Sequence, residues 1–433
     1  MSRRKYVVVL LGAFTICMIL TLPMLVKPGT TVVTFGGEAG MQPGPDTTSS
    51  YGAVSKLQVA LSVSDDEFQY WTEKNEQFLG RNPGIKVELL NISPEDARQA
   101  WLHDFQIGAA SDILLMDNIM IRPFTVAGYL TPLDDLFSGE MLNDHLEALT
   151  APLKWNGYIW GVPVDCDPHL IVWQRQLLES AGFDAPPSDW QAFKSLIAKL
   201  TASAPSLQML TLPSGEEPFI LTWMESVPSK GTASDMANLG EIKGQAAEQL
   251  HFLAQQSGRV REKREEGGDW LERMANGEQL AAVVSWSDYR ALSAEERKLL
   301  VVSDKAAPPV WGEGRSFAVA AQTAHGELAK KWLQAMTSTE QQKEQYTSLG
   351  KLPVRKSLYS RVFQLYDERY SSPPSWLIPM LDQIIAEPDP GWSLRWERWS
   401  ALWRQIDLQQ LDAAAADHLI ERWNEPFASQ ADG

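Results

Sequence analysis

The run Lys56-Leu57-Gln58-Val59-Ala60-Leu61, followed by residues 67–79, Asn82-Pro83-Gly84 and residues 85–90, decides the fold class. Leu57, Val59 and Leu61 fall on one face of an extended chain, which predicts a strand. Phe68, Trp71, Asn75, Phe78 and Leu79 recur at helical spacing, so a helix follows. Asn82-Pro83-Gly84 reads as a turn into a second strand. A helix over 94–105 and a strand over 113–116 continue the same order. Strands alternating with helices predict an α/β architecture with a mostly parallel sheet.

Downstream, a second α/β-like series runs from Leu170 to about Val302, dominated by helices and with weaker strand signals. After Pro308-Pro309 the chain predicts a strand over 316–320 and a helix over 327–336, then reaches Leu349-Gly350-Lys351-Leu352-Pro353-Val354. What remains reads as helices rich in Trp and Leu. A length of 433 residues exceeds one ordinary domain and points to two lobes. The hydrophobic share of 44% and charged share of 21% are those of a globular chain and exclude wholesale disorder.

Upstream, Arg3, Arg4 and Lys5 precede residues 6–26, an uncharged run of 21 residues. A secretory core needs about 7–15 apolar residues and a spanning helix about 20, so residues 1–26 are expected to be a signal anchor or transmembrane segment. The leading cations predict a cytoplasmic N-terminus and a cell-membrane protein whose body lies outside the cytoplasm. Nothing just after Val26 reads as a small-x-small cleavage site; the nearest such pattern is Gly37-Glu38-Ala39. Residues 27–55, rich in Gly, Pro, Thr and Ser, are expected to be a flexible linker, with a reach of about 30 Å.

Cys17 sits inside the apolar run and Cys166 far along the chain, so neither a lipid attachment site nor an internal disulfide is expected, and a cysteine-built zinc site is excluded. The net charge of −17 becomes −20 once the three leading cations are set aside. Such a body repels phosphate backbones, and nucleic acid is not an expected partner.

Eight landmarks occur in a telling order. They are Asn82-Pro83-Gly84-Ile85-Lys86-Val87-Glu88; Asp112-Ile113-Leu114-Leu115; Ala127-Gly128-Tyr129-Leu130-Thr131-Pro132-Leu133-Asp134-Asp135; Trp155-Asn156-Gly157-Tyr158-Ile159-Trp160-Gly161-Val162-Pro163; Ala181-Gly182-Phe183 with Ala185-Pro186-Pro187-Ser188-Asp189-Trp190; Met274-Ala275-Asn276-Gly277-Glu278 leading to Trp286; residues 329–336 with Ser338-Thr339-Glu340-Gln341; and Gly350-Lys351-Leu352-Pro353-Val354. Each is weak alone. In this order they resemble the bacterial family of extracellular solute-binding proteins (family 1), the substrate-binding components of ABC transporters that include the maltodextrin-binding protein.

The resemblance implies a periplasmic-binding-protein fold: two α/β lobes, a hinge and a ligand cleft between the lobes. Lobe 1 would take about 56–164 and 312–355, and lobe 2 about 165–311 and 356–433. It also implies a monomer without cofactor or catalysis that closes around a solute and docks on ABC permease subunits. Sugar sites pair aromatic faces with carboxylates and amides, and an oligosaccharide is the expected solute.

By position in the pattern, the candidate contacts are Trp286, Trp223 and Phe219 as stacking faces, Asp167 after the crossing into the second lobe, Asp65 and Asp66 after the first strand, and Asp117 and Asn118 after Asp112-Ile113. Other readings stay open. Trp286, like Trp392, Trp396, Trp399 and Trp403, also fits a Trp-rich core among the 17 tryptophans; Asp65 and Asp66 also fit a helix N-terminus; Asp167 also fits a solvated loop. Where the relative carries an aromatic, an acid and a base against its sugar, this chain has Met116, Ile119 and Met120, which argues against maltodextrin itself.

Two rival classes remain. The sequence lacks the serine-hydrolase elbow, the zinc-protease helix and the P-loop, so an enzyme is not expected. A membrane-anchored protein that senses a solute for a neighbouring membrane partner, without transport, is the alternative function.

Overall fold

The computed structural model describes residues 31–34, 56–213, 218–227, 235–263, 270–302, 314–360, 371–382, 391–406 and 410–431, and the chain divides into two units at Leu114. The expected anchor, residues 1–26, and most of the expected linker lie outside the described residues. Among the described residues no helix is long and apolar enough to cross a membrane.

In the first unit, β1 (Thr31–Thr34), inside the span read as linker, pairs antiparallel with β3 (Lys86–Asn91). Next to β3 lies β2 (Lys56–Leu61), parallel to it along its whole length and parallel also to β4 (Ile113–Asp117), where Val59 faces Ile113. Two helices make the crossovers, α1 (Asp65–Arg81) and α2 (Pro94–Ile107). Ser64 caps α1 by accepting the Glu67 N–H at 3.3 Å, and three acids occupy its first turn, where the helix dipole favours them. Gly108, at φ 72°, ends α2 in the left-handed conformation that glycine adopts at little cost. Leu57, Val59, Leu61, Phe68, Trp71, Asn75 and Phe78 are buried, as the alternation and helical spacing predicted, and Leu89, Trp101 and Ile113 are buried with them.

The second unit begins in the last residues of β4, which run directly into α3 (Asn118–Val126). A two-residue hairpin joins β5 (Lys154–Trp155) to β6 (Tyr158–Ile159) through Asn156 and Gly157, both at positive φ, the conformation favoured by Asn-Gly hairpin turns. Then β7 (Val162–Cys166) leads over Asp167-Pro168 into β8 (His169–Gln174).

β8 belongs to a separate five-stranded sheet with β9 (Gln208–Pro213), β10 (Val260–Lys263), β11 (Gln279–Ser285) and β12 (Leu300–Val302), ordered β10-β9-β11-β8-β12. β9 is parallel to β10 and β11, whereas β8 is antiparallel to β11 and β12. Around this sheet lie α4 (Trp190–Ser203), α5 (Pro218–Ser226) and α6 (Gln245–Gln255).

The chain then forms β13 (Gly314–Val319), α7 (Gly326–Met336), α8 (Thr339–Leu349) and β14 (Leu352–Pro353), with β13 and β14 antiparallel to β7. Two C-terminal helices, α9 (Trp392–Trp403) and α10 (Ala413–Ala431), close the fold; α9 packs against α3 and α10 against α6. Trp392, Trp399, Trp403 and Trp423 join Trp173, Trp190 and Trp223 in one core, with Trp396 partly buried against it. The core reading of the helical tryptophans therefore holds.

Candidate functional site

Polar and charged side chains converge where β7 ends, because the strand register puts them side by side. Arg315 on β13 lies opposite Asp165 on β7, at a shift in register between Arg315 and Ser316, and Pro353 on β14 lies opposite Asp165 on its other edge. Asp165 is 2% exposed. Its two oxygens accept Arg315 Nε at 2.9 Å and Nη2 at 2.6 Å, and Gln345 from α8 donates to the same carboxylate. A bidentate guanidinium fork of this kind fixes both partners.

Two residues on, Asp167 accepts Lys351 Nζ at 2.6 Å, Ser287 Oγ at 2.6 Å and the Ser287 N–H at 2.9 Å. Burial works against its charge, but Lys351 and the two Ser287 bonds together hold the carboxyl below the usual carboxylate range. Burial likewise opposes the Lys351 ammonium, and Asp167 outweighs it, keeping the ammonium above its ordinary range.

Asp117 completes the cluster and differs from the other two carboxylates. It occupies the N-cap of α3 yet makes no capping bond, where Asp ordinarily accepts a backbone N–H. It is exposed, but protein atoms crowd it enough that desolvation pushes its carboxyl above the usual range. Arg315 opposes that shift through space, and Asp165 adds to it.

The remaining expected contacts are dispersed or buried. Asn118 is 1% exposed, its amide tied to Leu149 O at 3.3 Å and to Ser316 Oγ at 2.5 Å, so it braces β13. Trp286 is 2% exposed in a cluster with Tyr289 and Trp376, and its indole N–H donates to Gly350 O at 3.1 Å. Trp223 is fully buried, edge-on to Trp190 and Phe193. Each ring is surrounded by apolar side chains, which for Trp286 is the core alternative. Phe219 lies on α5, with its side chain outside the described residues.

In the first unit, Asp65 and Asp66 are exposed in the opening turn of α1; this is the helix-terminus alternative, although the cap itself is Ser64. Met116 and Met120 are buried, and Ile119 packs against the large tryptophan core. Cys166 is a buried free thiol, and among the described residues no group of three or more His, Cys, Asp or Glu is placed to hold a metal ion.

Sequence reasoning missed Arg315, Gln345, Lys351 and Ser287 as members of the cluster. Lys351 stands inside one of the family landmarks and Arg315 is a lone cation at the head of an apolar strand; both were legible as oddities. Gln345 and Ser287 carry no signal in the sequence.

The bacterial extracellular solute-binding protein family matches residues 75–371. The chain belongs to that family. Among solved structures, this solute-binding protein is similar to the sugar-binding protein MalE from Xanthomonas citri, at a TM-score of 0.66 and 18% identity over 87% of this chain and 98% of that one. It is also similar to the GacH receptor of Streptomyces glaucescens, at 0.60 and 16% over 86% and 98%, and to a cyclic alpha-maltosyl-1,6-maltose binding protein from Arthrobacter globiformis, at 0.61 and 17% over 86% and 98%. These likenesses establish the two-lobed α/β solute-binding fold. Curated relatives from Brucella abortus are 23% identical over 168 residues, 38% of this chain, and the match spans 41% of their length.

Proposed function

We propose that this protein captures an extracytoplasmic carbohydrate, an oligosaccharide before a monosaccharide, for ABC-type import, and that hinge closure of its two lobes encloses the solute. The observation that carries the reading is Asp117, an exposed N-cap carboxylate that does not cap its helix and that lies within electrostatic reach of the Arg315–Asp165 ion pair. A carboxylate in such surroundings accepts protons from hydroxyls. Support comes from similar folds whose ligands are known: the Streptomyces receptor was solved with acarbose, and a Bdellovibrio bacteriovorus domain with maltotriose. Closure around a solute requires that it bind the closed state more tightly than the open one. No chemistry on the solute is part of this reading, and neither cofactor nor second subunit is needed for capture.

The 21-residue apolar run near the N-terminus supports retention at the membrane. It also favours a second reading, in which the loaded protein signals to a neighbouring membrane partner.

The test is to follow the melting temperature and Trp fluorescence of the full chain in detergent against mono- and oligosaccharides, with peptides and polyamines beside them. A saturable shift with one sugar class, weakened in Asp117→Asn, is the expected result. Silence across the sugars from a folded protein would sink the carbohydrate reading.

A further inference from the structure

Three carboxylates and two cations alternate through this cluster, and only one carboxylate is left open. Asp167 is occupied by Lys351 and Ser287. Asp165 is occupied by the Arg315 fork and by Gln345. Asp117 makes no capping bond, and the residue after it, Asn118, lies against both chain neighbours of Arg315: it accepts Ser316 Oγ at 2.5 Å, and a Cβ on Gly314 would stand 2.5 Å from its Nδ2.

Arginine presents its paired donors in one rigid plane, so the edge that grips Asp165 cannot grip a second carboxylate at the same time. Asp165 is buried on β7 directly opposite Arg315, and the Gln345 amide fixes the carboxylate from the α8 side. The Nε–Nη2 edge of the guanidinium is thereby committed before any solute arrives.

We propose that Asp165, fixed by Gln345, is a positioning residue that holds Arg315 away from Asp117, leaving Asp117 to accept hydroxyl protons from a neutral, hydroxyl-rich solute and to reject one that brings a carboxylate to the same point. This deepens the solute-capture reading above and rests on it. Were Arg315 to fold onto Asp117 instead, the open acceptor would be consumed.

The experiment has one arm without solute and one with it. In the full chain carrying 13Cγ-labelled aspartate, the Asp117 resonance is assigned by its loss in Asp117→Asn and titrated by NMR. In Asp165→Asn the released guanidinium turns to Asp117, whose titration moves to lower pH than in the wild type; in Asp165→Asn with Arg315→Met it moves back up. Gln345→Leu, which keeps the ion pair, shifts it in the same direction by less and serves if Asp165→Asn does not fold. An Asp117 titration unchanged in both Asp165→Asn and Gln345→Leu overturns the positioning role.

In the second arm, the neutral oligosaccharide that gives the saturable shift in the sugar panel above and trigalacturonate are titrated calorimetrically. Binding of the neutral oligosaccharide weakens roughly ten-fold in Asp117→Asn, as expected for one hydrogen bond to a charged group, and trigalacturonate binds only once Asp117 is neutralised. Capture of the neutral oligosaccharide that is indifferent to Asp117→Asn overturns the solute contact even if the titration arm behaves as expected. A wild type that ignores every sugar of the panel counts against the carbohydrate reading alone, because positioning is decided by the first arm.

Discussion

His145 is 1% exposed and lies edge-on to Phe137. Burial, then the neighbouring Arg355, lower its pKa from 6.5 to about 4, with Asp144 opposing. The folded state therefore binds fewer protons here than the unfolded chain between those two values, so this residue's contribution is complete above pH 6.5 and is lost as pH falls toward 4. The loss is at most about 3 kcal/mol, because each ten-fold weakening of proton affinity is worth about 1.4 kcal/mol. In His145→Gln, urea unfolding across that range should show a correspondingly flatter decline of stability with acidification; an unchanged slope would mean that other groups set it. Residues such as Trp286 teach a different lesson at this scale. Its place in the family pattern was legible, but whether the ring faces solvent depends on what packs over it. Here Tyr289 and Trp376 do so, and the indole N–H is spent on Gly350 O. Asp117 was legible only as one of two polar residues after a strand; its missing cap bond is a matter of geometry.

β13 must run close beside α3, and the sequence provides Gly314 for that approach. A Cβ at this position would stand 2.5 Å from Asn118 Nδ2 and 2.8 Å from Leu149 Cδ2. Because Asn118 is held by Leu149 O and Ser316 Oγ, it has no slack to give. Gly314→Ala should therefore cost about 1–3 kcal/mol, the usual range for overpacking a filled site, measured by urea unfolding. A cost near zero would show that β13 and α3 can separate freely. β2 and the two first-unit helices were readable because their sequences space apolar residues along one face: the predicted helices at 67–79 and 94–105 fall inside α1, Asp65–Arg81, and α2, Pro94–Ile107. The five-stranded sheet was not so readable. β8 is buried at every position and β11 at nearly every one; strands covered on both faces lose the alternation that marks a half-exposed strand.

Across the whole chain, the surplus of acid is the property that most affects how a capture experiment reads. With a net charge of −17, the protein draws cations to itself without any site, and such attraction fades once the Debye length falls from about 30 Å at 0.01 M to about 8 Å at 0.15 M ionic strength. A neutral sugar held by hydroxyl-to-carboxylate bonds gains nothing from that long-range field. Its dissociation constant should change less than about two-fold between those salt concentrations, whereas a polyamine attracted by net charge alone should weaken many-fold. Calorimetric titration of the full chain at both ionic strengths separates the cases. A sugar response as salt-sensitive as the polyamine's would mean that the signal reports the field of the chain, and the role argued for Asp117 would lose its support. A flat sugar response beside a collapsing polyamine response would place recognition in short-range bonds, where the committed Arg315–Asp165 pair and the open Asp117 carboxylate have their effect.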